Sequence, residues 1–240
     1  MNGSRAPRMR TMSSTVRGIS SMATRQVLAE LALAWQATAG RSAAFESVGG
    51  VDAARRVQAG EAFDVVVLAA DAIAKLVASG HALASSVTPL VHSPVAIAVP
   101  EGAARPDVGS EAALRQAVLA AGRIGYSTGP SGTALLQLFQ RWGVADLLQP
   151  RLVQSPAGVP VGQMLARGEV DIGFQQLSEL LPLPGIQLLG QMPAGTEIVT
   201  TFSGALCATV QHADAAAALL AFMQSPAATD AKRRHGMEPA

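Results

Sequence analysis

Cysteine is almost absent. The chain of 240 residues carries one, Cys207. A single thiol excludes an internal disulfide and a metal site built from cysteines; Cys207 reads as a small buried hydrophobe. Aromatic residues make up 4% of the chain and charged residues 15%, and the formal net charge is +1. There is no basic face for nucleic acid and no interleaving of basic and aromatic residues. No apolar run reaches the roughly 18–20 residues needed to cross a bilayer. A nucleophile–base motif, a metal triad, a Walker loop and a dinucleotide fingerprint are also missing. No metal and no cofactor are therefore expected.

What is present is an alanine-rich chain that is 49% hydrophobic. That is a globular α/β composition, with length for one large domain or two small ones. The N-terminus, Met1 to Thr15, is basic, with Arg5, Arg8 and Arg10, and after these comes Met12-Ser13-Ser14-Thr15. A secretory signal would continue with an apolar stretch instead. No signal peptide is visible as written: either the protein is cytoplasmic, or an export signal was removed or replaced. Residues 1–13 are expected to be poorly ordered.

The pattern after Thr15 alternates. Thr15 to Ile19 predicts a strand, and Ser21 to Thr38 a helix with apolar positions Val27, Leu28, Leu31 and Trp35 on one face. Ala43 to Val48 is a second strand; Gly49-Gly50-Val51-Asp52 then turns into a helix through Val57. Ala62 to Leu68 is a strand whose continuous apolar run predicts burial on both faces, as in a parallel sheet. A helix over Asp71 to Ser79 completes a β-α-β-α-β-α rhythm, the mark of a wound sheet. Leu90 to Val99 breaks it with a long extended segment that has Pro94 in its middle. Helices at Ser110 to Ala121, Thr133 to Trp142 and Val161 to Arg167 alternate with strands at Leu152 to Gln154 and Val170 to Gln176. Ile186 to Met192 and Thr196 to Phe202 are extended, and Asp214 to Met223 is an alanine-rich helix.

The chain is organised around Gly125-Tyr126-Ser127-Thr128-Gly129-Pro130-Ser131-Gly132-Thr133, which holds three glycines and no acid. It lies between an apolar lead-in and a helix. Such a turn places backbone N–H groups and short hydroxyls at a helix N-terminus, where the dipole favours an anion. Gly18-Ile19-Ser20-Ser21-Met22-Ala23-Thr24 is a second loop of this kind. Two crossing strands, near 93–96 and 195–203, imply a discontinuous first domain, 14–93 plus 200–240, and a continuous second one, 94–199. Two connections make a hinge, and a cleft between domains is a preferred place for a ligand.

Five stretches in order carry a family resemblance. They are Gly18-Ile19-Ser20-Ser21-Met22-Ala23, Gly60-Glu61-Ala62-Phe63-Asp64-Val65-Val66, the Gly125–Gly132 loop, Gly168-Glu169-Val170-Asp171-Ile172-Gly173-Phe174-Gln175-Gln176-Leu177-Ser178-Glu179-Leu180, and Gly236-Met237-Glu238-Pro239. The chain resembles the molybdate-binding-like branch of type II periplasmic binding proteins over nearly all of its length after Thr15. The resemblance implies a two-domain α/β Venus flytrap with mixed sheets, helices on both faces and a two-strand hinge. It implies a small anion held without counter-charge, by hydroxyls and backbone N–H groups. Ser20 and Ser21 match the first such serine. Ser47, Gly49 and Gly50 fall in the second ligand loop, Ser127, Ser131 and Gly132 in the second-domain loop, and Val159 and Val161 flank the next. Where molybdate binders place a tyrosine, this chain has Gln175 and Gln176. An amide offers a donor and an acceptor together, which suits a carboxylic acid as well as an oxyanion.

The resemblance therefore implies a substrate-binding protein that delivers a small anion to an ABC-type importer. The expected partners are that anion and a membrane permease; the protein is expected to be a periplasmic monomer. The same family includes aconitate isomerase, which gives the alternative of a cofactor-free isomerase on an unsaturated tricarboxylate. A cytoplasmic anion sensor is a third reading. An isomerase needs a base, for which His92, Glu179 or a cleft serine are the candidates. Plainer readings stand beside these: Ser20 or Ser21 as a helix N-cap, the glutamines as surface amides, His92 as structural, Arg25 as a solvated helix residue, and Tyr126 as packing.

Overall fold

The computed structural model describes residues 15–240. The expectation for residues 1–13 lies outside the described residues. The elements run β1 (Val16–Ser21), α1 (Arg25–Ala39), β2 (Ala43–Val48), α2 (Gly50–Gln58), β3 (Val65–Ala69), α3 (Ala70–Ala78), β4 (Thr88–Pro100) and α4 (Glu111–Ala120). They continue β5 (Ile124–Tyr126), α5 (Pro130–Arg141), α6 (Ala145–Leu148), β6 (Leu152–Gln154), α7 (Val161–Ala166), β7 (Ile172–Gln176) and α8 (Leu177–Leu180). The chain ends β8 (Ile186–Gln191), β9 (Val199–Leu206), α9 (Ala213–Gln224), α10 (Thr229–Arg234) and β10 (Glu238–Pro239).

The strands lie in the order β2-β1-β3-β9-β4-β7-β5-β6, with β8 and β10 also paired to β4. The order is nearly symmetric about β4. At one end β2, β1 and β3 are parallel, and β9 runs against β3. At the other β6, β5 and β7 are parallel, and β4 runs against β7. Strand β4 serves both halves. Thr88 to Pro94 pair with β9, and Val95 to Ala98 pair with β7. Pro94 sits at the end of the β9 ladder, where a missing N–H is tolerated. The strand is therefore longer than the extended run read from the sequence, and it is the seam between two lobes.

Each lobe has its own core on both faces of its sheet. Trp35, Leu31, Val67, Leu219 and Met223 cover one face of the first half, and Ile19, Phe63, Leu68 and Ile73 the other. Phe139, Leu114, Ile124 and Phe174 cover one face of the second half, and Ala96, Met164, Leu165 and Leu180 the other. The fully buried run Val65–Ala69 is the two-sided parallel strand that its sequence predicts.

Several boundaries differ from the sequence reading. Strand β1 continues to Ser21, and a tight 3-10 turn, Met22–Thr24, separates it from α1. Strand β3 begins at Val65 rather than Ala62. Asp64 is taken up just before it: its carboxylate accepts the N–H of Arg17 at 2.9 Å and of Gln211 at 2.8 Å. Strand β9 begins at Val199, because the Pro193–Thr196 turn, closed by Thr196 N–H to Pro193 O at 3.0 Å, holds the residues before it.

Candidate functional site

The C-terminal ends of the parallel strands in both lobes face one cavity of about 560 Å³. That is where open α/β sheets place ligands. From the first lobe it is lined by Ser21, Met22 and Ala23 after β1, by Gly49, Gly50 and Val51 at the start of α2, and by Ala69, Asp71 and Lys75 at α3. From the second come Ser127 to Ser131, Ser155, Pro156, Gly158 to Pro160, the pair Gln175–Gln176, and Glu179.

The hydroxyls at this cavity are placed by local sequence. Ser21 caps the 3-10 turn, accepting the Ala23 N–H at 3.3 Å, which leaves its own hydroxyl hydrogen to donate outward. Ser20 is the next residue on a strand and points the other way. It is fully buried, and its Oγ lies 2.8 Å from Ser47 Oγ across the β1–β2 register. Neither Ser20 nor Ser47 borders the cavity; they fasten the floor under Ser21. Gly49 and Gly50 begin α2 with no side chain over the first-turn N–H groups.

The second-lobe loop is built around the start of α5. Pro130 has no N–H, and Gly132 and Thr133 donate back to Gly129 at 3.0 and 3.2 Å. The Ser131 N–H and the hydroxyls of Ser127 and Ser131, 2.9 Å apart, are the donors at this end. Gly132 is there for space: a Cβ would lie 1.9 Å from the Ser127 carbonyl oxygen. Gly132 thus shapes the loop without bordering the cavity. Val161 also stays off the cavity wall. It is fully buried, and its side chain occupies the room left by Gly125 and Gly173. Tyr126 packs against the second-lobe core.

The two glutamines diverge. Gln175 donates its amide to Glu179 Oε1 at 2.9 Å and accepts the Gly162 N–H, at the start of α7, at 3.4 Å. Gln176 accepts the Ser93 hydroxyl at 2.8 Å and donates to Thr200 Oγ1 at 2.9 Å. Both border the cavity, yet Gln175 serves an acid and Gln176 serves the crossing strands. Burial pushes the Glu179 carboxyl up to about 7, against the opposing pull of the Gln175 amide. An acid with such a value in a cleft can take up and return a proton near neutral pH.

Of the other candidates for a base, His92 stands on the exposed face of β4. Its Nδ1 lies 2.9 Å from Thr201 Oγ1, and it does not border the cavity. Arg25 is exposed on α1, also off the cavity. Cys207 is buried, with its thiol pushed up to about 12 by burial and by the Asp64 charge. The sequence reading did not single out Asp71, Lys75, Ser155 or Phe202, which also border the cavity. Their signal was positional: Ala69 to Asp71 is a third strand-to-helix junction, like the two that were singled out. Among the described residues no group of acids, histidines and cysteine is disposed to hold a metal, and no helix is long and apolar enough to cross a membrane.

A sheet split into two lobes by shared strands, with helix starts from both lobes around one cavity, is the architecture of the two-domain periplasmic binding proteins. The chain belongs to the bacterial extracellular solute-binding protein family, which it matches over residues 16–238. It is 38% identical over 185 residues to the aconitate isomerase of a Pseudomonas species, covering 77% of this chain and 70% of that protein. Its fold is that of the Azotobacter vinelandii periplasmic molybdate-binding protein, with a TM-score of 0.78, 19% identity, and 92% of this chain and 98% of that one covered. The sulfate-binding protein of Mycobacterium tuberculosis aligns with a TM-score of 0.76 at 17% identity, over 95% of this chain and 87% of that one.

Proposed function

We propose that the cleft binds a small polycarboxylate of the aconitate class and that the protein interconverts its cis and trans forms, with Glu179 carrying the proton. The observation behind this reading is Glu179 itself. It is an acid at the cleft, held by Gln175 and poised near neutrality, and the cavity it borders also carries hydroxyls and helix starts suited to carboxylates. The relative at 38% identity, an aconitate isomerase, supports the same substrate class.

The chemistry needs no co-reactant. Ionised Glu179 removes a proton from the methylene carbon next to a carboxylate. The C–H electron pair becomes part of an allylic anion spread over three carbons and their carboxylates, and the double bond shifts. Protonated Glu179 then returns the proton to the far carbon, which leaves the isomer and regenerates the carboxylate. The donors at Ser21, Gly49, Gly50, Ser127 and Ser131 hold the negative charge that develops in between. Lobe closure would exclude water from the anion.

A second reading keeps the same ligand step and omits the chemistry: delivery of the anion to an ABC-type permease by a periplasmic monomer. Membership of the solute-binding family favours it. Closure then shifts a population by differential affinity for the closed state. The test is thermal unfolding with trans-aconitate, cis-aconitate, citrate, molybdate, tungstate and sulfate in turn. A ligand at about a hundred times its Kd stabilises by about 2.7 kcal/mol. The expected result is a shift with the aconitates and none with molybdate or tungstate. A shift with molybdate or tungstate alone would overturn the carboxylate reading.

A further inference from the structure

The residues Gln176 and Ser178 sit where the two halves of the sheet part. Strand β4 leaves β9 after Pro94 and joins β7 at Val95, which pairs with Gln176. One step before the fork, Ser93 pairs with Thr200 in the first-lobe ladder. The Gln176 side chain bridges back across that step. Its oxygen takes the Ser93 hydroxyl and its amide reaches Thr200. All three residues are buried, at 0%, 3% and 8% exposure for Ser93, Gln176 and Thr200. Two residues on, Ser178 donates to the Ala23 carbonyl at 2.8 Å. Ala23 lies in the turn that carries Ser21 into the cavity. Leu177 between them presses on Gly236, where a Cβ would come within 2.8 Å of it. A short segment that continues the second-lobe strand β7 is therefore fastened to the first lobe at three places.

We propose that Gln176, with Ser93 and Thr200, is the hinge tie that sets how freely the lobes move relative to each other. Gln176 is a positioning residue, whatever anion the cleft takes. Its partners belong to the ladder on one side of the fork and its own backbone to the ladder on the other. Relative rotation of the two sheets changes both hydrogen bonds at once. Bonds of this kind weaken steeply past about 3.2 Å, so a displacement of about 1 Å is enough to release them. The tie stabilises the conformer in which it is made and lowers the population of the rest. It also explains why an amide fills a place where the resemblance leads one to expect a tyrosine: donor and acceptor at one site are needed to hold two hydroxyls on different strands.

The test separates the hinge from the cleft, because Ser93 and Thr200 do not border the cavity. Spin labels at Ala59→Cys and Ala157→Cys, both exposed and one in each lobe, report the interlobe distance by electron double resonance. Cys207 is 1% exposed and stays unlabelled. In the ligand-free protein, Ser93→Ala and Thr200→Val should each broaden the distance distribution, with the tied conformer losing about fivefold in population against the others. Thr200→Ser keeps the hydroxyl and should restore the native distribution. A distribution unchanged in both Ser93→Ala and Thr200→Val would overturn the proposal. So would a Thr200→Ser variant as broad as Thr200→Val. If Thr200→Val does not fold, Ser93→Ala carries the test alone. No ligand is needed, so failure here leaves the aconitate reading untouched.

Discussion

The two lobes begin their sheets in the same way and end them differently. Before β3, Asp64 donates its N–H to the Arg17 carbonyl at 2.7 Å and accepts the Arg17 N–H in return. Before β7, Asp171 does the same with Arg123, at 2.9 and 2.8 Å. Each aspartate thus clasps the start of the neighbouring parallel strand. In the first lobe the clasp is buried at 4% exposure, and Asp64 Oδ1 also takes the N–H groups of Gln211 and His212. Burial raises the Asp64 carboxyl, but these donors outweigh it and hold it below the ordinary aspartate range. In the second lobe the Asp171 side chain is 48% exposed and faces Arg123 at 3.7 Å. One motif does two amounts of structural work, and the difference is burial.

At the opposite ends of the same strands the contrast reverses. The first lobe offers the cavity Ser21 and the starts of α2 and α3, with Arg55 and Lys75 nearby. The second offers the Ser127–Ser131 turn and the acid Glu179 with its glutamine. On the proposed reading, holding an anion is shared between the lobes and moving a proton belongs to the second lobe alone.

The largest expected effect is on Glu179. Glu179→Gln keeps the shape and the acceptor for Gln175 but cannot take a proton. Conversion of aconitate should fall about 10²–10⁴-fold, while calorimetry still shows binding. The next largest separates the clasps. Asp64→Ala orphans three backbone N–H groups and should cost about 3 kcal/mol, which chemical denaturation would show. Asp171→Ala should cost less than about 1 kcal/mol. Equal costs would refute the burial argument. Third, Ser131→Ala and Ser21→Ala should each weaken ligand binding about tenfold, the loss of one hydrogen bond to a charged group. Ser20→Ala, whose partner is Ser47, should move stability more than affinity.

The smallest effect is on stability against pH. The Glu179 carboxyl lies above its unfolded value of 4.5, at about 7. The folded protein therefore binds the extra proton between those values, and stability falls as pH rises through that window. Glu179→Gln removes that loss. Its melting temperature should exceed that of the native protein by several degrees above pH 7, and match it more closely near pH 5. A variant less stable than the native protein at pH 8 would contradict the raised value.

Much of the fold was legible because periodicity and order carry it. The buried run at Val65–Ala69 and the glycine-rich turn before α5 each signalled their place. The site was legible at the level of loops and less so at the level of side chains. Ser20 and Ser21 look equivalent in sequence, and only the alternation of β1 decides that Ser21 faces the cavity while Ser20 meets Ser47. Val161, at the start of a helix, was expected to flank a ligand loop; the small residues Gly125 and Gly173 draw its side chain into the core. Gln175 and Gln176 were read as one pair. Their separate partners, Glu179 on one side and Ser93 with Thr200 on the other, come from distant segments that no local pattern announces.

The most direct measurement is proton NMR of trans-aconitate incubated with the protein in heavy water. The account predicts that cis-aconitate appears and that deuterium enters the methylene position, with both processes lost in Glu179→Gln while that variant still binds. A protein that is saturated with aconitate yet gives neither conversion nor deuterium exchange would contradict the catalytic role of Glu179. The chain would then be a carrier of carboxylates.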